Sequence, residues 1–194
     1  SESNGNVRHM GSVADYLEVD DRYEVAVEAC LSDFLQYIVV ARHEHAIEGL
    51  RFVRDHDAGR CGFLVVEGSG DGGSEVPGAG AVEAMPTGLA PLTSVVRASG
   101  SCGTAILAAI GEAYVAESFE QALTAATMVT GPIVTLSGDV VRGAHLVSGG
   151  AKAEARGLLA TKREIKALRD AVIAKQTNVE KITLQLHDLD RGVK

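Results

Sequence analysis

The chain has 194 residues, the length of one domain or of two small halves sharing a core. Apolar residues make up 46% of it, aromatics only 4%, and Trp is absent, so a core is affordable but must be built from aliphatic side chains. The three cysteines, Cys30, Cys61 and Cys102, are odd in number and form no CxxC, which excludes a disulfide framework or zinc ribbon and fits a reducing compartment. No apolar run reaches about 18 residues and no basic-then-apolar leader opens the chain, so it reads as a soluble intracellular domain.

The net charge of −8 hides an asymmetry. Residues 1–150 hold 8 Arg, no Lys and 20 acidic groups, a net −12, whereas residues 151–194 hold 10 basic and 6 acidic groups, a net +4. A field of the first sign repels phosphate, so nucleic-acid contact is expected only at or beyond residue 151.

Residues 1–12 are polar and Gly-containing, and read as a loop, an opening segment or the end of an N-terminal arm. Val13–Val19 has strand composition. Asp20 and Asp21 are N-cap candidates for a helix over Tyr23–Leu31, whose apolar residues recur at helical spacing. Leu35–Ala41 reads as a buried strand, His43–His56 as a helix with Ala46, Ile47, Leu50 and Val53 on one face, and Phe63–Val66 as a further strand. This alternation predicts an α/β (α+β) half-domain over residues 13–66.

Residues 67–80 carry six glycines in fourteen positions and predict a flexible linker. A second half over about 81–150 follows, with a helix near Ser118–Val129, a strand at Ile133–Leu136 and a hairpin turn at Gly138 leading into Val140-Val141. From Ala151 an unbroken helix is expected to about Leu189. With Leu158 at an a position, the a series is Leu158, Ile165, Val172, Val179, Leu186 and Val193; the d series is Thr161, Leu168, Lys175, Ile182 and Leu189. All but Thr161 and Lys175 are apolar. So sustained a period of seven predicts a coiled-coil arm over residues 151–194. Its partner must be another chain or sequence upstream, so the chain reads as a piece of a longer protein.

Signatures of chemistry are absent. Gly68–Gly73 matches GxGxxG, but Pro77, Gly78 and Gly80 follow where a dinucleotide site needs a helix. There is no phosphate-binding GxxxxGK[ST] and no GxSxG. His43 and His45 point to different faces of a helix, which argues against a metal pair. Cys30 and Cys102 read as buried small hydrophobes, Cys61 as an exposed thiol without a base. No catalytic residue, metal or cofactor is assigned. Gly143, Gly149 and Gly150 remain unexplained: a Gly pair before a long helix serves either as a turn or as a site of close backbone approach.

Five stretches, in order over roughly residues 12–150, resemble the hinge domain of the SMC (structural maintenance of chromosomes) proteins, bacterial condensin type. They are VADYLEV; YEVAVEACLSDFLQYIVV, similar to the family's YExAxEAxLGxxLQxVVV; GRCGFLVV, similar to GRxTFLPL; ILAAIGEAYVAESFEQAL, similar to LLGDxxVVxDxxxAL; and IVTLSGDVVRGAHLVSGG, similar to VTLDGExxxPGGxxTGG. Gly149-Gly150 keep the second Gly pair of the last motif, while Ala144-His145 stand where the first would fall.

The resemblance implies a two-lobed domain with mixed sheets that dimerises with itself by pairing edge strands, around Leu35–Val40 and Val134–Val141. Gly138, Gly143, Gly149 and Gly150 would lie at that interface. It implies an antiparallel arm from upstream sequence, ATPase heads at the far ends of the arms, and a cytoplasmic, nucleoid-associated, DNA-entrapping ring. Lys152, Arg156, Lys162, Arg163 and Lys166 at the hinge–arm junction are candidates for weak, non-specific phosphate contact. The rival expectation is a small-molecule-binding or enzymatic α/β domain with a coiled-coil oligomerisation tail.

Overall fold

The computed structural model describes residues 9–67, 88–150 and 157–192. The first stretch contains β1 (His9–Ser12), β2 (Leu17–Val19), α1 (Glu24–Leu31), β3 (Ile38–Val40), α2 (His43–Asp55) and β4 (Phe63–Val65). The second contains β5 (Ala90–Pro91), α3 (Leu92–Val95), β6 (Val96–Ala98), α4 (Gly103–Ile110), β7 (Tyr114–Ala116), α5 (Phe119–Ala125), β8 (Ile133–Thr135), β9 (Val140–Arg142) and β10 (Leu146–Ser148). The long helix α6 (Leu158–Gly192) follows. The chain divides into two compact units, Ser1–Leu159 and Ala160–Lys194.

The first unit holds three sheets among the described residues: β1-β3-β4, β2-β6 and β10-β9-β8-β7-β5. The β3–β4 and β7–β8 pairs are parallel, each joined through a crossover helix, and the remaining pairs are antiparallel. The antiparallel β2–β6 ladder sets Leu17, Glu18 and Val19 against Ala98, Arg97 and Val96. It therefore stitches the first stretch of chain to the second. The main core does the same: Val13, Val27, Leu35 and Val39 pack with Leu92, Cys102, Ile106, Val134 and Leu159 in one buried cluster. A smaller cluster of Leu89, Ala116, Ala122, Ala125, Ile133 and Val141 lies with α5.

Several sequence expectations need correction. Val13–Val19 is not one strand. Val13–Tyr16 forms a 3-10 turn in which the Asp15 carboxylate accepts the Ser12 N–H and O–H at 2.8 and 2.7 Å, and only Leu17–Val19 pairs. Leu35 is buried as expected, but in a 3-10 segment, Ser32–Gln36, ahead of a strand limited to Ile38–Val40. On α2 the inward side carries Gly49, which lies against the Phe63 ring, while Ile47 and Leu50 are exposed. A Cβ at residue 49 would occupy the space of that ring, so the helix turns its smallest residue inward to approach β4. Residues 142–150, untyped in the sequence, contain the strand β10. The last helix does not run unbroken from Ala151, because Gly157 sits at φ +87° and α6 begins at Leu158. Within residues 67–80 only Glu67 lies among the described residues.

In the second unit, α6 carries the seam. Ile165, Leu168, Val172, Val179 and Ile182 are all exposed in the single chain, Leu168 at 60% and Val179 at 63%. A helix with that stripe bare lacks the burial that would stabilise it, since most helical stability comes from a packed face. No helix of the described residues is long and apolar enough to cross a membrane.

Candidate dimer interface

Helix α1 is assembled from apolar residues at i, i+1, i+4 and i+5: Ala26, Val27, Cys30 and Leu31 face the core. Its other side carries Val25, Glu28, Ala29 and the residue that ends it, Ser32. The Ser32 N–H closes onto the Glu28 carbonyl, and its backbone takes φ +45°, ψ −122°, a region that favours glycine.

The β8–β9 turn faces this side of α1. Gly138, at φ +90°, donates its N–H to the Thr135 carbonyl at 2.9 Å, and the Asp139 N–H reaches the buried Thr135 hydroxyl at 3.0 Å. The Thr135 hydroxyl in turn donates to the Asp139 carboxylate at 3.3 Å. A Cβ at Gly138 would meet Val25 Cγ1 at 3.1 Å, so glycine here serves both the turn and the close approach of α1. Gly149 stands against the Asp139 carboxylate with no room for a Cβ.

Between α1 and the β8–β10 region lies a groove of about 350 Å³, whose lining includes Glu28, Ser32, Gly138, Arg142, Gly149 and Gly150. The structure thus brings together three of the four glycines assigned from the sequence. Gly143, at φ +56°, sits instead in the β9–β10 turn, where a Cβ would have no neighbour within 4 Å. Beside the groove runs β10, the outermost strand of its sheet, pairing only with β9 among the described residues. Leu146 is 55% and Val147 50% exposed. Two large apolar side chains on an outer strand form a template for pairing with another chain.

Electrostatics sharpen the groove. Glu28, 7% exposed, uses both carboxylate oxygens at the start of α6: Oε2 accepts the N–H of Gly157, just ahead of the helix, at 2.9 Å and Oε1 the Leu159 N–H at 2.8 Å. One turn earlier, burial and the Glu28 charge raise the Glu24 carboxyl above its usual range. Burial pushes the Cys30 thiol up to about 11, against a smaller opposite pull from the Arg142 guanidinium. No group of three or more His, Cys, Asp or Glu residues is placed to hold a metal among the described residues.

Of the candidate phosphate contacts, Lys152 and Arg156 lie outside the described residues. Lys162, Arg163 and Lys166 lie on the first turns of α6, in the second unit. Sequence reasoning missed Glu28, Ser32, Arg142 and strand β10. For β10 the only local signal was the apolar pair Leu146-Val147 flanked by polar residues.

An α/β domain with several sheets, an apolar outer strand and a glycine-lined groove has the make-up of an association module. Residues 7–126 match the family model of the SMC proteins flexible hinge domain, and the chain belongs to that family. A chromosome partition protein Smc of Desulfitobacterium hafniense is 29% identical over 178 residues, which cover 90% of this chain and 15% of that protein. The chain therefore spans about a seventh of the length of such relatives. The crystal structure of an asymmetric dimer of the Geobacillus stearothermophilus SMC hinge domain is 27% identical, with a TM-score of 0.63 over 87% of this chain and 68% of that one. The Pyrococcus furiosus Smc hinge domain with an extended coiled coil shares the fold at 19% identity, TM-score 0.58, over 89% of this chain and 62% of that one. The family match stops before β8, so the groove glycines lie outside it, within the stretch that resembles the family's last motif.

Proposed function

We propose that this chain is the dimerisation hinge of a chromosome-partition Smc protein, and that two copies join through β10 and the adjoining groove. The observation that carries this reading is the outer strand β10, whose Leu146 and Val147 stand exposed beside a groove lined by Gly138, Gly149 and Gly150. Pairing that strand satisfies its outward N–H and C=O groups and buries its apolar side chains together. Fully covering two side chains of this size contributes about 3 kcal/mol per copy before association entropy is subtracted.

In the whole protein, α6 continues as one strand of an arm whose seam is covered by upstream sequence, and the arms end in ATPase heads. The hinge closes one side of a DNA-enclosing ring in the cytoplasm, at the nucleoid. Lys152, Arg156, Lys162, Arg163 and Lys166 make weak phosphate contacts there. The charge distribution supports placing them on this side, because residues 1–150 are net −12 while the remainder is net +4.

The test is light scattering on residues 1–163, which removes most of the seam, with and without Val147→Glu. A dimer that becomes a folded monomer in the variant supports the reading. An unmutated chain that is already monomeric overturns it and leaves the coiled coil as the only oligomeriser.

A further inference from the structure

Glu28 lines the groove and also holds the start of α6. Its carboxylate is buried and accepts the Gly157 and Leu159 N–H groups, which belong to the orphan donors at the start of a helix. Leu159 is itself 5% exposed in the main core. The first turn of α6 is therefore clamped from two directions, by the Leu159 side chain in the core and by its N–H on Glu28.

We infer that Glu28 couples occupation of the groove to closure of the first turn of α6, so that a second copy seated in the groove locks that turn. The inference rests on the proposed dimer. In a single copy the groove is open, and if the first turn unwinds, water reaching through the groove rehydrates the freed carboxylate. With the groove filled by a partner, the same unwinding leaves the carboxylate buried without its donors, a state that costs far more. Unwinding is thus harder in the dimer than in the monomer. Because coupling between two equilibria is reciprocal, an unwound first turn weakens the dimer by the same factor.

The experiment is amide hydrogen exchange at Leu159 in the full 194-residue chain, over a dilution series whose dimer fraction is followed by sedimentation. Val147→Glu, with α6 unaltered, serves as the monomeric control. The expected result is exchange slower by on the order of tenfold in the dimer than in the monomer, with Val147→Glu at the monomer rate at every concentration. Glu28→Gln keeps the shape but loses one acceptor; it should speed Leu159 exchange, shrink the dimer–monomer difference and weaken dimerisation by a matching factor. A dimer with unchanged Leu159 exchange overturns the coupling and leaves the dimer reading intact. Slow exchange in concentrated Val147→Glu assigns the protection to the α6 seam and also overturns it. A chain monomeric throughout overturns both.

Discussion

Gly149 stands directly against the Asp139 carboxylate, and that carboxylate is committed to the Thr135 turn. A side chain at 149 must displace the Asp139 carboxylate and break its bond to the Thr135 hydroxyl. Gly149→Ala should therefore cost about 1–3 kcal/mol of monomer stability, beyond any effect on association. Gly143→Ala meets no neighbour and pays only for its left-handed backbone, about 1 kcal/mol. Urea unfolding of both in a Val147→Glu background, where dimer dissociation does not contribute, should rank 149 above 143. Equal costs would mean that Asp139 swings aside freely. Loss of dimer in a Gly149 variant alone is consequently weak evidence about the interface.

Ser32 occupies backbone territory where glycine is preferred, at φ +45°, and the family motif YExAxEAxLGxxLQxVVV carries glycine at the aligned position. Ser32→Gly should raise stability by about 1 kcal/mol, the relief of backbone strain less the greater freedom gained by the unfolded chain. The urea midpoint measures it. A lower midpoint would show that the Ser32 hydroxyl makes a contact worth more than the strain.

The cysteines should separate by burial. Cys61 is half-buried, while Cys30 and Cys102 are enclosed in the main core. A thiol reagent at neutral pH should label one thiol quickly and the other two only at the rate of unfolding. Fast labelling of two or three would mean that the core opens locally around α1 or α4.

Alkaline stability should report Cys30. Its folded value of about 11 lies above the ordinary thiol value of 9.0, so between those values the folded state keeps a proton that the unfolded state has released. The contribution of Cys30 is complete below pH 9 and lost as pH rises toward 11. Cys30→Ala should flatten the decline in unfolding free energy over that window. An unchanged slope would assign the decline to other groups.

Lys175 interrupts the seam at a d position on α6. With the proposed antiparallel partner segment supplied, Lys175→Leu should raise the melting temperature of the helical circular-dichroism signal, since a polar residue in the seam sets register at a cost in stability. No rise would mean that the stripe faces solvent even when a partner is present.

How much of this could be read in the sequence follows from the range of each interaction. Local periodicity revealed α1 and α2, and the Gly138 turn was visible because Ser137-Gly138-Asp139 separates two β-branched runs. The seven-residue repeat marked α6. What failed depended on distant partners. The inward side of α2 is set by the Phe63 ring filling the space beside Gly49, which no helical period reveals. Val13–Tyr16 has strand composition but is held as a 3-10 turn by the Asp15 carboxylate on Ser12. Nothing local singled out Glu28, because its partners lie 129 and 131 positions along the chain.

That separation also orders events during synthesis. Glu28 is synthesised before residues 157–159, and its carboxylate lacks its final donors until they arrive. By then every strand of the three sheets has been made. The root of α6 is consequently the seal on a completed domain. A misfolded body offers the emerging helix neither the carboxylate nor the core site for Leu159. The first residues of α6 therefore find their partners only on a body that has already folded.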